Sequence, residues 1–179
     1  MKIAGEHPLE RKGSSDLLTD SVEQETQKKN GNLDKAKLLG NNIAKEYIKV
    51  CHKDSITGAD NESSELEVQK ILLLSFTVMG GFEQFCPNMT LANAARASFF
   101  DKLHELDLEL FEKSSDTGAF SFYYLCFRRG TEVDRRVGQT FAMLCSHDGD
   151  PIYQELGEAL YCWFLSRIEK SVEAVQFVK

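Results

Sequence analysis

Apolar residues return every third or fourth position along most of this chain, the period of a helix with one buried side. In Leu33 to Lys53 the stripe is Leu39, Ile43, Tyr47 and Val50. Asn32 is placed to cap that helix, and Asp34 suits its positive end. Gly40-Asn41-Asn42 is a weak helix interior and leaves room for a kink. Asp54 to Ser63 is polar, contains Gly58 and reads as a loop.

Ser64-Glu65-Leu66-Glu67 has the form of a capping box and opens a second helix. Past Lys70 that helix is apolar on most sides, through Ile71, Leu72, Leu73, Leu74 and Phe76, which predicts a central, buried position. Gly80-Gly81 either ends it or lets a neighbour approach closely. Thr90 opens a third helix, with Leu91, Ala95, Phe99, Leu103, Leu106 and Leu110 on one stripe and Lys102, Glu105, Glu109 and Glu112 opposite. This is the pattern of an amphipathic surface helix.

Ala119 to Phe127 is rich in aromatics, and periodicity alone does not separate helix from strand. The chain offers no partner strand, and a lone strand leaves its backbone groups unpaired. The segment is therefore expected to be a buried helix, capped near Asp116 and ended at Gly130. Thr131-Glu132-Val133-Asp134 repeats the capping-box form before Val137, Phe141, Met143 and Leu144, and His147-Asp148-Gly149 ends that helix. Asp150-Pro151 then opens the last one, to Val178, with Ile152, Leu156, Leu160, Trp163, Ile168, Val172 and Val175 on its inner side.

These segments predict an all-α fold, a single helical domain of about six helices over residues 32–179. Residues 1–31 are poor in apolar side chains and read as a polar tail, flexible or weakly helical, with Leu17, Leu18 and Val22 its only sticky side.

The formal net charge of -7 over 179 residues argues against non-specific binding to nucleic acid or anionic membranes, which needs a basic surface. The longest apolar run, Ile71 to Met79, is interrupted by Ser75 and Thr77 and falls short of the ~18 apolar residues of a membrane span. The N-terminus has no apolar signal core. The five cysteines are odd in number and widely spaced, with no Cys-x-x-Cys, as expected of reduced thiols in the cytoplasm.

One dense positive group stands out: Arg128, Arg129, Arg135 and Arg136 straddle the Gly130-Thr131 turn. Forked guanidinium donors beside a helix N-terminus would suit a phosphate, a carboxylate or an acidic partner. The plainer account is that Arg128 and Arg129 close one helix while Glu132 pairs with Arg135 or Arg136 in the next. A helix-turn-helix reading fails because the preceding helix is too apolar to cross a DNA backbone.

Cys145-Ser146-His147-Asp148-Gly149-Asp150 gathers metal-capable side chains, yet helix termination explains each of them. Asp101 and His104 lie one turn apart without a second copy of the motif, and Cys51-His52 are adjacent and point apart. No phosphate loop, nucleophile elbow or His-Glu-x-x-His occurs. The sequence thus names no catalytic residue, metal site or cofactor.

It favours a non-catalytic interaction or regulatory module that binds a protein partner or a second copy of itself. The alternative is a small-molecule site for an anionic or apolar ligand. There Phe120, Phe122, Tyr123, Tyr124, Phe127, Phe141 and Trp163 would line a pocket between helices, with the arginines as anchor. A metal-dependent enzyme ranks third.

Overall fold

In the computed structural model, which describes residues 23–52, 64–115, 118–128 and 130–178, every regular element is a helix. Residues 23–29 are helical. Seven helices follow: α1 (Asn32–Cys51), α2 (Ser64–Phe85), α3 (Met89–Leu106), α4 (Leu108–Ser114), α5 (Gly118–Arg128), α6 (Val133–Leu144) and α7 (Pro151–Val175). The first part of the tail, the Asp54–Ser63 loop, the cap near Asp116 and Arg129 lie outside the described residues or largely so.

The count exceeds the expected six partly because the third predicted helix is two. Asp107 leaves helical geometry at φ -156°, and its carboxylate accepts the Leu110 N–H at 3.0 Å. It ends α3 and caps α4 at once. Leu106 and Leu108, on either side of the break, are exposed. The apolar stripe expected to run straight through is carried instead by Leu91, Ala95, Phe99 and Leu103, with Leu110 re-entering the core from α4.

Helix α2 is central, as its all-round apolar sequence predicts. Ile71, Leu74, Val78 and Phe82 face one core cluster, with α1, α3 and Phe164, Ile168 and Val172 of α7. Leu72, Leu73 and Phe76 face a second, with α5, α6 and Leu160 and Tyr161 of α7. Helices α2 and α7 therefore belong to both clusters. They cross where Gly81 meets Ile168, and a Cβ there would stand 2.8 Å from the isoleucine side chain. Gly80-Gly81 thus permits close packing and does not end the helix.

Gly40 acts likewise in α1. A Cβ on it would stand 2.1 Å from the Ala95 carbonyl oxygen and 2.9 Å from the Phe99 nitrogen. The missing side chain lets the α1 and α3 backbones touch. The helix runs through Gly40-Asn41-Asn42 without interruption.

Several expected ends are built differently. Asn32 does not cap α1; Gly31, at φ 76°, holds that place. Asn32 is buried, accepts the Val178 N–H at 2.8 Å and donates to the Val178 carbonyl at 2.7 Å. Thr131 does not cap α6 either, because Glu132 at φ 51° is the residue before the helix and its side chain makes no cap bond. At the other end of α6, Ser146 takes the left-handed position (φ 61°) expected of a glycine. His147 N–H reaches the Ala142 carbonyl at 2.9 Å and Ser146 N–H the Met143 carbonyl at 3.1 Å, the paired bonds of a Schellman motif. The Asp150 cap forms as expected, accepting the Ile152 N–H at 2.9 Å with Pro151 in the first turn.

Helix α5 is a helix, but only one side of it is buried. Phe120, Tyr123 and Cys126 point inward, while Phe122, Tyr124 and Leu125 are exposed. On α7 the buried line is Gly157, Leu160, Tyr161, Phe164, Ile168 and Val172. Ile152 and Trp163, assigned to the inner side from spacing, stand outside it.

Candidate functional site

Four of the aromatics expected to line a pocket, Phe120, Tyr123, Tyr124 and Phe127, pack on one ring. That ring is Phe76 of α2, with ring centroids 5.1 Å from Tyr123, 5.3 Å from Tyr124, 5.4 Å from Phe127 and 5.9 Å from Phe120. Such rings gain from contact with each other, as aromatics of a core do. Trp163 is elsewhere, on the outer side of α7.

Three of the four arginines, Arg128, Arg135 and Arg136, are among the described residues. Arg128 is exposed at the end of α5. Arg135 is exposed and pairs with Glu132 at 3.6 Å, the i+3 pairing foreseen as the plainer account. Arg136 is half-buried, with Nη2 3.4 Å from Thr131 Oγ1 and Nη1 buried without a hydrogen-bond partner. It lines a groove of about 250 Å³ with Phe122, Leu125, Met143 and Asp148.

The other constellations separate. His147 stacks flat on Tyr153, centroids 3.7 Å apart, while Cys145 is buried. His104 meets the Phe111 ring edge-on at 4.9 Å. His52 pairs with Asp107 and not with its neighbour Cys51. Burial pushes the Cys51 thiol up to about 12, Cys86 to about 11 and Cys145 to about 12, so none of the three is poised as a thiolate nucleophile. Among the described residues no three His, Cys, Asp or Glu side chains converge as a metal site would require.

A concavity of about 900 Å³ lies between α1 and α7. Each helix lines it with one stripe. From α1 come Asn42, Lys45, Glu46, Lys49 and Val50; from α7 come Leu156, Ala159, Leu160, Trp163 and Arg167. Helical spacing explains the sets, since positions three and four apart stack on one side. Val50, Leu156, Ala159, Leu160 and Trp163 make the surface apolar, and Ala159 leaves room where a longer side chain would fill it.

Its polar members are ordered. Arg167 forms an ion pair with Glu46 across the two helices. Its guanidinium carbon lies 5.5 Å from the Trp163 ring centroid, within cation–π range. Trp163 also tilts against Phe164, centroids 5.7 Å apart. The indole is thus fixed on two sides while 42% of the residue remains exposed. Lys45 and Lys49 are exposed and make no ion pair among the described residues.

No protein family, curated protein or solved structure matches this chain. The groove must therefore be read from its own chemistry. Sequence reasoning missed it because Trp163 was counted into the core stripe. One signal was present: Trp163 and Arg167 stand four apart, a spacing that pairs a ring with a cation on a helix surface. Among the described residues no helix is long and apolar enough to cross a membrane.

Proposed function

We propose that this protein is a non-catalytic helical interaction module, and that the groove between α1 and α7 is where it receives a segment of a partner protein. The observation that carries this is the exposed, immobilised Trp163 beside an apolar strip framed by two helices. Tryptophan held rigid by its neighbours brings large contact area at low entropic cost, which is why it anchors protein interfaces. An open trough between two parallel stripes has the shape used to seat an amphipathic helix.

A small-molecule reading of the same groove draws on its volume, which falls within the range of ligand pockets. The groove is only half enclosed, and enclosure is what lets a pocket bury most of a small ligand. That favours the partner segment.

Selection from a displayed library of random peptides, with the purified chain as bait, tests the proposal. Binders are expected whose retention is lost when Ala159→Arg fills the groove, with the helical circular dichroism unchanged. A library that yields no binder sensitive to Ala159→Arg would overturn it.

A further inference from the structure

Resting on the reading of the α1/α7 groove as a docking site, we infer that its occupant is an acidic amphipathic helix of about three turns. The charges of the groove point to this. The chain carries a formal net charge of -7, so most of its surface repels an acidic partner. The groove departs from that balance. Of its four charged side chains three are cations, and the single carboxylate, Glu46, is already held by Arg167. Lys45 and Lys49 remain, one helical turn apart on the same side of α1, exposed and without a salt bridge among the described residues. A partner with carboxylates at the same spacing along its flank would meet both while its apolar side covers Trp163, Leu156 and Val50.

The length follows from the stripes. On α7 the lining runs from Leu156 to Arg167. At about 1.5 Å rise per residue that is on the order of 16 Å, the length of about eleven helical residues. A second copy of this chain is the less suited occupant. The exposed apolar side of its α5, Phe122 and Leu125, shares a groove with Arg136 and carries the same sign as the α1/α7 groove.

Trp163 is the only tryptophan, so its emission reports on the groove directly. Three synthetic helices would be titrated against the full chain, each with leucine at positions i, i+3, i+4 and i+7. Their flanks would carry glutamate, glutamine or lysine. The acidic peptide is expected to shift Trp163 emission and to bind about tenfold more tightly than the glutamine peptide, with the lysine peptide weakest. Lys45→Glu with Lys49→Glu is expected to reverse that order. Both positions are exposed, and an unchanged melting temperature would show the fold intact. Equal binding of the acidic and glutamine peptides would overturn the charge inference and leave the docking site standing. If none of the three binds, both readings fall. A Trp163 shift with a fatty acid such as decanoate, and with no peptide, would also overturn both and assign the groove to a small amphiphile.

Discussion

Two buried tyrosines divide the molecule. Tyr47, in the cluster built by α1 and α3, has its hydroxyl 2.9 Å from the Ile71 carbonyl and 2.8 Å from Ser114 Oγ. Ser114 Oγ lies 2.6 Å from the Leu110 carbonyl, and Ser75 donates to the Ser114 carbonyl at 3.2 Å. The group binds α1, α2 and α4 through polar contacts sealed from water. Tyr123, in the cluster of α5 and α6, is equally buried, and its hydroxyl has no hydrogen-bond partner. Burial raises the pKa of both phenols, so each remains neutral at ordinary pH. One half thus spends its buried polar atoms on specifying which helices meet; the other relies on ring packing around Phe76. A satisfied buried network defines one arrangement, whereas an unpaired buried hydroxyl lowers stability without defining anything.

The comparison can be broken most severely at Gly40. Gly40→Ala would set a methyl group against the Ala95 carbonyl, a backbone atom that no rotamer change can move aside. The expected cost is about 3 kcal/mol, despite alanine being the better helix former, read as a fall in the urea midpoint. A midpoint unchanged or higher would mean that α1 and α3 are not in backbone contact.

The tyrosines sharpen the comparison when changed in turn. Tyr47→Phe removes the phenol's contacts with the Ile71 carbonyl and Ser114 Oγ and is expected to cost about 1.5 kcal/mol. Tyr123→Phe removes a hydroxyl that bonds nothing and is expected to fall within about 0.5 kcal/mol of the parent or above it. Equal losses in urea titrations would show that Tyr123 has a partner after all.

Asp107 provides the mildest test. Burial of its carboxylate raises its pKa, but the Leu110 N–H and His52 outweigh that and hold it below the ordinary value. A lowered carboxyl pKa stabilises the fold above the unfolded pKa, and that gain is lost as pH falls through the folded one. Asp107→Asn keeps an acceptor for Leu110 and removes the charge. Its melting temperature is expected to decline less steeply than the parent's from about pH 6 to pH 2. Parallel curves would remove Asp107 from the account of acid unfolding.

Much of this fold can be read from the chain alone. The all-helical class, the central place of α2 and the Asp150-Pro151 start follow from period and local capping chemistry, which act over a few residues. The departures arise where partners are distant in sequence. Asn32 looks like a cap until Val178 is brought to it. The stripe through Leu106 looks continuous because Asp107 breaks the helix through its own side chain, and aspartate is common in unbroken helices. Trp163 has the right spacing for the core of α7, but that side is already full once Leu160 and Phe164 meet α2. The groove was hidden for the same reason: it exists only as the space between two helices more than a hundred residues apart.

That separation also has a consequence in time. Asn32 near the start of α1 is completed only by the backbone of Val178, both of whose polar groups it holds. A ribosome releases the first long before the second is made. Throughout synthesis α1 can settle against α3 through Gly40, yet its buried amide waits for nearly the last residue described. Helix α1, though made early, is therefore among the last to be finished, and a nascent chain stopped before α7 would present Lys45, Lys49 and Val50 with no opposite wall.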